Sequence, residues 1–92
     1  MLEREDRLDV QGVTKYLVNI VKPFVEQPDK VEVTFDEFPR KVIFHLSVAE
    51  IDLSALESVQ FVYRALNHIM NKVTQANLGK SGSLDNEFGI ST

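Results

Sequence analysis

Apolar residues at Val13, Tyr16, Leu17, Ile20, Val21, Phe24 and Val25 recur in steps of three and four, the spacing of one face of a helix. Asp9 stands just before the run as a side-chain acceptor suited to an N-cap. Pro23 falls inside it, so the final turn is expected to be kinked or irregular, and Gln27-Pro28-Asp29 ends it. The period then changes to two. Val31, Val33 and Phe35 alternate with Lys30, Glu32 and Thr34, and Val42, Phe44, Leu46 and Val48 alternate with Lys41, Ile43, His45 and Ser47. Between them Asp36-Glu37-Phe38-Pro39-Arg40 reads as a hairpin connection, because proline cannot continue a ladder. One face of this antiparallel pair is apolar and ready to take helices, and the other is mixed.

Ala49 to Leu53 reads as a transition. The helical period returns at Leu56, Val59, Val62, Tyr63, Leu66, Ile69, Met70 and Val73. From Thr74 the chain carries three of its four glycines with Ser and Asn. Only residues 87–91 there have the composition for a short strand. The pattern predicts a lead-in over 1–9, a domain over 10–74 and a flexible tail over 75–92. The fold class is α+β, a small antiparallel sheet covered on one face by helices.

The 92 residues, 43% hydrophobic and 26% charged, fit one soluble domain with one modest core. The chain has no cysteine, which removes thiolate metal sites and thiol nucleophiles. No apolar run is long enough for a bilayer, and Met1 to Leu8 lacks the apolar stretch of a signal peptide. No membrane partner and a cytoplasmic location are therefore expected. Ten basic residues against fourteen acidic ones give a net charge of −4. Nucleic-acid binding draws most of its affinity from Lys and Arg on phosphates, so this balance discounts it without excluding a local basic patch.

Several strings are more specific than the pattern. Ile20-Val21-Lys22-Pro23 is followed by Gln27-Pro28-Asp29, then by Asp36-Glu37-Phe38-Pro39, His45-Leu46 and Tyr63-Arg64-Ala65-Leu66. With the order helix, strand, strand, helix, helix, residues 13–73 resemble a KH domain of the bacterial type II order, as in the small stand-alone bacterial KH-domain RNA-binding proteins (KhpA type). The resemblance implies non-enzymatic RNA binding, often as a homodimer or beside a second KH-type protein. It also implies a Gly-x-x-Gly loop between the last two helices, preceded by an aliphatic residue. The alignment places Leu56 at the aliphatic position, Glu57 and Gln60 on the two glycines, and Ser58 and Val59 between them. The family's closing strand after the last helix is not evident in the sequence.

A Gly-x-x-Gly loop lets bare backbone approach phosphates, with helix N-terminal amides supplying positive potential. Glu57 puts bulk and negative charge there, Gln60 adds bulk, and Ser58 and Val59 replace residues that are commonly basic in the family. Direct RNA binding through this loop is expected to be weak or absent. Glu57 also fits a capping box, Ser54-Ala55-Leu56-Glu57, in which it merely starts a helix. Both readings agree with a further one. Leu56, Val59, Tyr63, Leu66, Met70 and Val73 step by three and four without a break, so the last two helices are expected to fuse into one from about Ser54 to Val73.

Phe61, Ala65 and His68 form a second stripe on that helix and are candidate dimer contacts; burial of Phe61 under the lead-in or tail is an equal alternative. Arg40, Lys41, Arg64 and Lys72 are candidate phosphate contacts, against the plainer reading of solvated surface charges. His45 and His68 lack any metal-ligand spacing. Glu50, Asp52 and Glu57 read as solvated helix-start acids, and no serine sits in a nucleophile elbow. Neither an enzyme nor a cofactor is expected. Two functions follow: an RNA-associated KH-like protein with a lost phosphate grip, or a homodimeric protein-interaction module without RNA.

Overall fold

The computed structural model describes residues 8–57, 60–85 and 87–91, and within these the side chains of all but residues 56, 57, 60 and 61. Helix α1 spans Val10–Val21, with Asp9 as its N-cap: the Asp9 carboxylate accepts the Gly12 N–H at 2.8 Å. Val13, Leu17 and Val21, each four residues apart, are fully buried along it. Pro23 has the effect expected of it. The helix tightens into a 3-10 turn at Lys22–Phe24, and a second 3-10 turn follows at Pro28–Lys30.

Strand β1 (Glu32–Glu37) pairs antiparallel with β2 (Lys41–Val48). The strand runs two residues further than the sequence pattern implied, so the connection is only residues 38–40, closed by the Phe38 N–H on the Lys41 carbonyl at 2.8 Å. Val42, Phe44, Leu46 and Val48 are buried on the helix side of β2. Lys41, Ile43, His45 and Ser47 take the open side, the alternation a half-covered sheet requires.

The next helix corrects the expected transition. Helix α2 covers Glu50–Glu57, starting one residue after β2 and its single linking residue, Ala49. The Ala49 carbonyl accepts the N–H groups of Asp52 and Leu53, at 2.9 and 3.0 Å. Ser54 therefore lies inside a helix rather than capping one. Helix α3 covers Gln60–Leu78 and runs a turn past the expected end at Val73. It stops at Gly79, whose φ of 69° is the left-handed cap that glycine adopts without strain.

The sheet is mixed rather than purely antiparallel. Strand β3 (Ser81–Leu84) lies parallel to β2, and β4 (Gly89–Ile90) continues along the same edge of β2. The residues expected as a tail thus hold the end of α3 and two strands, one of them inside the predicted 87–91. The order β1-β2-β3 leaves two edges, each managed differently. The β1 edge strand carries Glu32, Asp36 and Glu37. The outer edge of β3 is covered by α3: Asn71 accepts the Gly82 N–H at 3.0 Å and Asn67 the Leu84 N–H at 2.8 Å. Tyr63 completes this row by donating its hydroxyl to the Leu84 carbonyl at 2.9 Å. Side chains four apart on a helix, at about 1.5 Å rise per residue, match residues two apart on a strand at about 3.3 Å.

Candidate functional site

Helix α3 organises the molecule because each of its faces has a different task. Leu66, Met70 and Thr74 are buried in the core. Tyr63, Asn67 and Asn71 hold β3, while Val62 and Ile69 face the end of α1. Arg64, Ala65, His68 and Lys72 are exposed.

An open apolar groove lies where α3 meets α1. Ile20, Val21 and Phe24 form one wall and Val62, Ala65, Leu66 and Ile69 the other, enclosing a cavity of about 140 Å³. Two local features keep it open. Ala65 is small where a larger residue would fill the space. Pro23 ends regular α-geometry, and Phe24 in the resulting 3-10 turn stands 72% exposed at the rim instead of joining the buried stripe. Tyr16 is also exposed on α1. The sequence stripe containing Phe24 gave no sign of this, since periodicity alone placed it on the buried side.

The residues proposed from the sequence are dispersed. Arg40 and Lys41 sit at the hairpin tip, where the Lys41 ammonium lies 5.4 Å from the Phe38 ring centre and the Arg40 carbonyl accepts the Ser81 N–H at 3.2 Å. That tip is beside the C-terminal end of α3, next to Lys80, which pairs with Glu37 at 2.7 Å. Arg64 is exposed near the other end of α3, so the four candidate phosphate contacts do not converge. Ala65 lines the groove and His68 is exposed on α3. Ser58 and Val59 lie outside the described residues, as do the side chains of Leu56, Glu57, Gln60 and Phe61. Helix stands on both sides of residues 58 and 59, ending at Glu57 and resuming at Gln60, and the expected fusion falls on these two residues, outside those described.

Asp52 differs from its expectation as a solvated helix-start acid. It is buried, and its two carboxylate oxygens accept the Glu26 and Gln27 N–H groups at 2.8 and 3.1 Å. It pins the chain just after Phe24 to the first turn of α2.

On the open side of the sheet, His45 bridges three strands. Its Nε2 lies 2.8 Å from Asp36 on β1 and its Nδ1 3.0 Å from Asp85, just past β3. A neutral imidazole has one N–H, so only the charged form donates to both carboxylates. The hydrogen bond to Asp36 raises its pKa above the ordinary 6.5; partial burial opposes this and Asp85 adds to it. A group shifted upward contributes its full stability below about pH 6.5 and loses it as pH rises through the folded-state value. The side chain is 37% exposed, so screening limits the gain to at most about 1 kcal/mol. Wild-type stability in urea is therefore expected to decline as pH rises above about 6.5 through the raised folded-state value, and His45→Gln to flatten the decline. Equal slopes in the two proteins would remove His45 as the cause. Separations of 9 and 40 residues hid this cluster from sequence reasoning.

Among the described residues no group of three His, Asp or Glu is placed to hold a metal, and no helix is long and apolar enough to cross a membrane. Comparison of the chain with protein-family models, with curated proteins and with solved structures finds no match in any of the three.

Proposed function

We propose that this chain is a non-enzymatic KH-like module whose Gly-x-x-Gly phosphate grip is lost, so that direct RNA binding is weak or has moved elsewhere on the surface. The observation that carries this reading is the order of elements: a helix, a β-hairpin, one helix ending at Glu57 and another beginning at Gln60, and the Ser81–Leu84 strand. The resemblance implies a closing strand after the last helix, and the presence of Ser81–Leu84 alongside β2 supports the reading. Glu57 ends one helix and Gln60 begins the next, and the resemblance puts the family's two glycines at these positions.

The test is RNA affinity measured by anisotropy on a single-stranded oligonucleotide at low and moderate salt. Wild type is expected to bind weakly. Glu57→Gly with Gln60→Gly removes a charge and two side chains, and is expected to raise affinity about tenfold, equivalent to ~1.4 kcal/mol. Each glycine costs roughly 0.5–1 kcal/mol of helix stability, so the fold is checked by circular dichroism. Tight wild-type binding that the double substitution leaves unchanged would defeat the reading.

A second reading, a protein-interaction module without RNA binding, is favoured by the open groove and by Phe24 at its rim. It includes the homodimer expected from the Phe61, Ala65 and His68 stripe, and association with a second KH-type protein.

A further inference from the structure

The net charge of −4 conceals a sharp division. Residues 10–25 and 58–84 contain no Asp or Glu. These stretches include α1 with its 3-10 turn and the whole of α3, and on those elements stand Lys15, Lys22, Arg64 and Lys72, all exposed. None of the four has an acidic partner among the described residues, where the ion pairs involve His45 and Lys80. The acids lie elsewhere: Asp9 caps α1 and Asp29 sits in the second 3-10 turn, Glu32, Asp36, Glu37 and Asp85 lie on the sheet side, and Glu50, Asp52 and Glu57 on α2. Glu26 follows the groove rim, and Asp52 is already engaged by backbone amides.

An apolar groove therefore lies between two elements, α1 with its 3-10 turn and α3, whose own formal charges are all positive. We propose that this groove is the docking site for an acidic amphipathic helix of a partner protein. The inference deepens the protein-interaction reading and rests on it.

Three features select this occupant. From Val62 to Ile69 the groove follows α3 over a separation of i to i+7, roughly 10 Å of helix. A ligand helix with apolar anchors at i, i+3 or i+4, and i+7 covers the same length. Acidic residues on its flanks would meet Lys22 and Lys72, and the charge complementarity would speed encounter and reject basic competitors. A second copy is disfavoured, because a two-fold dimer through this face places the same basic surface on both sides. RNA is disfavoured by the lining itself, which is aliphatic apart from Phe24 and offers no side-chain donor or acceptor to a base edge.

The probe is a fluorescent synthetic peptide with leucines at i, i+3, i+4 and i+7 and glutamates on its outer face. A control keeps the leucines and carries lysines instead. The acidic peptide is expected to bind the full chain, with affinity falling several-fold between low and moderate salt. Phe24→Glu, at a position too exposed to disturb the core, should weaken binding about tenfold or more. Lys22→Glu with Lys72→Glu should weaken it and improve the lysine peptide. Solution mass and RNA affinity are measured on the same samples. Preference for the lysine peptide overturns the acidic partner but leaves the protein-interaction reading standing. Binding of neither peptide, with RNA or a second copy protecting the groove, overturns the proposal; RNA there overturns the protein-interaction reading as well.

Discussion

Gly82→Val is expected to destabilise the fold by about 3 kcal/mol or more, the upper end of what overpacking a close contact costs. A Cβ at Gly82 would collide with Thr74 Oγ1 and lie 2.6 Å from Thr74 Cβ and 2.8 Å from the Met70 carbonyl oxygen. Neither obstacle can turn aside. Thr74 is fully buried with its hydroxyl donating to that same carbonyl, and the carbonyl belongs to the helix backbone. Only withdrawal of β3 from α3 makes room, which strains the bonds from Gly82 to Asn71 and from Leu84 to Asn67.

The same geometry ranks the rescues. With alanine at position 82, Thr74→Ala should recover little, because the Thr74 Cβ is itself too close. Thr74→Gly should recover more, less about 1 kcal/mol for glycine within a helix. Urea unfolding of the single and double variants forms a cycle that measures the coupling. A Gly82→Val protein with the wild-type midpoint would mean that β3 does not lie against α3 as described. Against a total stability on the order of 5–15 kcal/mol, the expected loss is large enough to read without ambiguity.

Gly82 also explains why part of the fold was hidden in the sequence. The inward positions of β3 are Gly82 and Leu84, and glycine is required where α3 comes closest. A strand whose inward residue must lack a side chain cannot show apolar alternation, so Ser81-Gly82-Ser83-Leu84 resembles a linker. The signal for it was on α3 instead, in Tyr63, Asn67 and Asn71 at four-residue spacing, polar groups held in reserve for a neighbouring backbone. By contrast, β2 buries four apolar side chains on one face, so its alternation was plain. Helix α1 was legible to the residue at its cap, because Asp9 and the Val13, Leu17, Val21 row are local features.

The two helix boundaries that moved have physical causes of the same kind. Helix α2 begins at Glu50 because the Ala49 carbonyl accepts the first amides directly after β2, a turn too tight to show turn-forming residues. Helix α3 outlasts Val73 to Leu78 through Thr74, Gln75 and Asn77, whose polar character suggested a tail. Of these, Thr74 is buried and Asn77 accepts the Leu8 N–H at 2.8 Å, so tertiary contacts hold the turn that composition alone disfavoured. The candidate site divides in the same way. Ala65 was legible as part of a stripe, but the groove beside it needs α1, and the exposure of Phe24 depends on the irregular turn at Pro23.

Asp52→Ala is expected to destabilise the protein by about 3 kcal/mol, because two hydrogen bonds from backbone amides to a buried carboxylate are lost together. The loss also removes an acidic group from the first turn of α2, where the helix dipole favours one. Asp52→Asn is no rescue. One amide oxygen can still accept, but the other position becomes an NH₂ donor facing an N–H donor, so it should recover less than half of the loss. The effect reaches the groove, since Glu26 and Gln27 follow Phe24 by only two and three residues. Freed from Asp52, that segment no longer fixes the aromatic rim, and binding of the acidic peptide should weaken although no groove residue has changed. Hydrogen exchange reads the first step directly: the Glu26 and Gln27 amides should exchange faster in Asp52→Ala while those of β2 keep their order of protection. Unchanged exchange at both amides would show that Asp52 does not hold the turn, and the link from this buried carboxylate to the groove would fail with it.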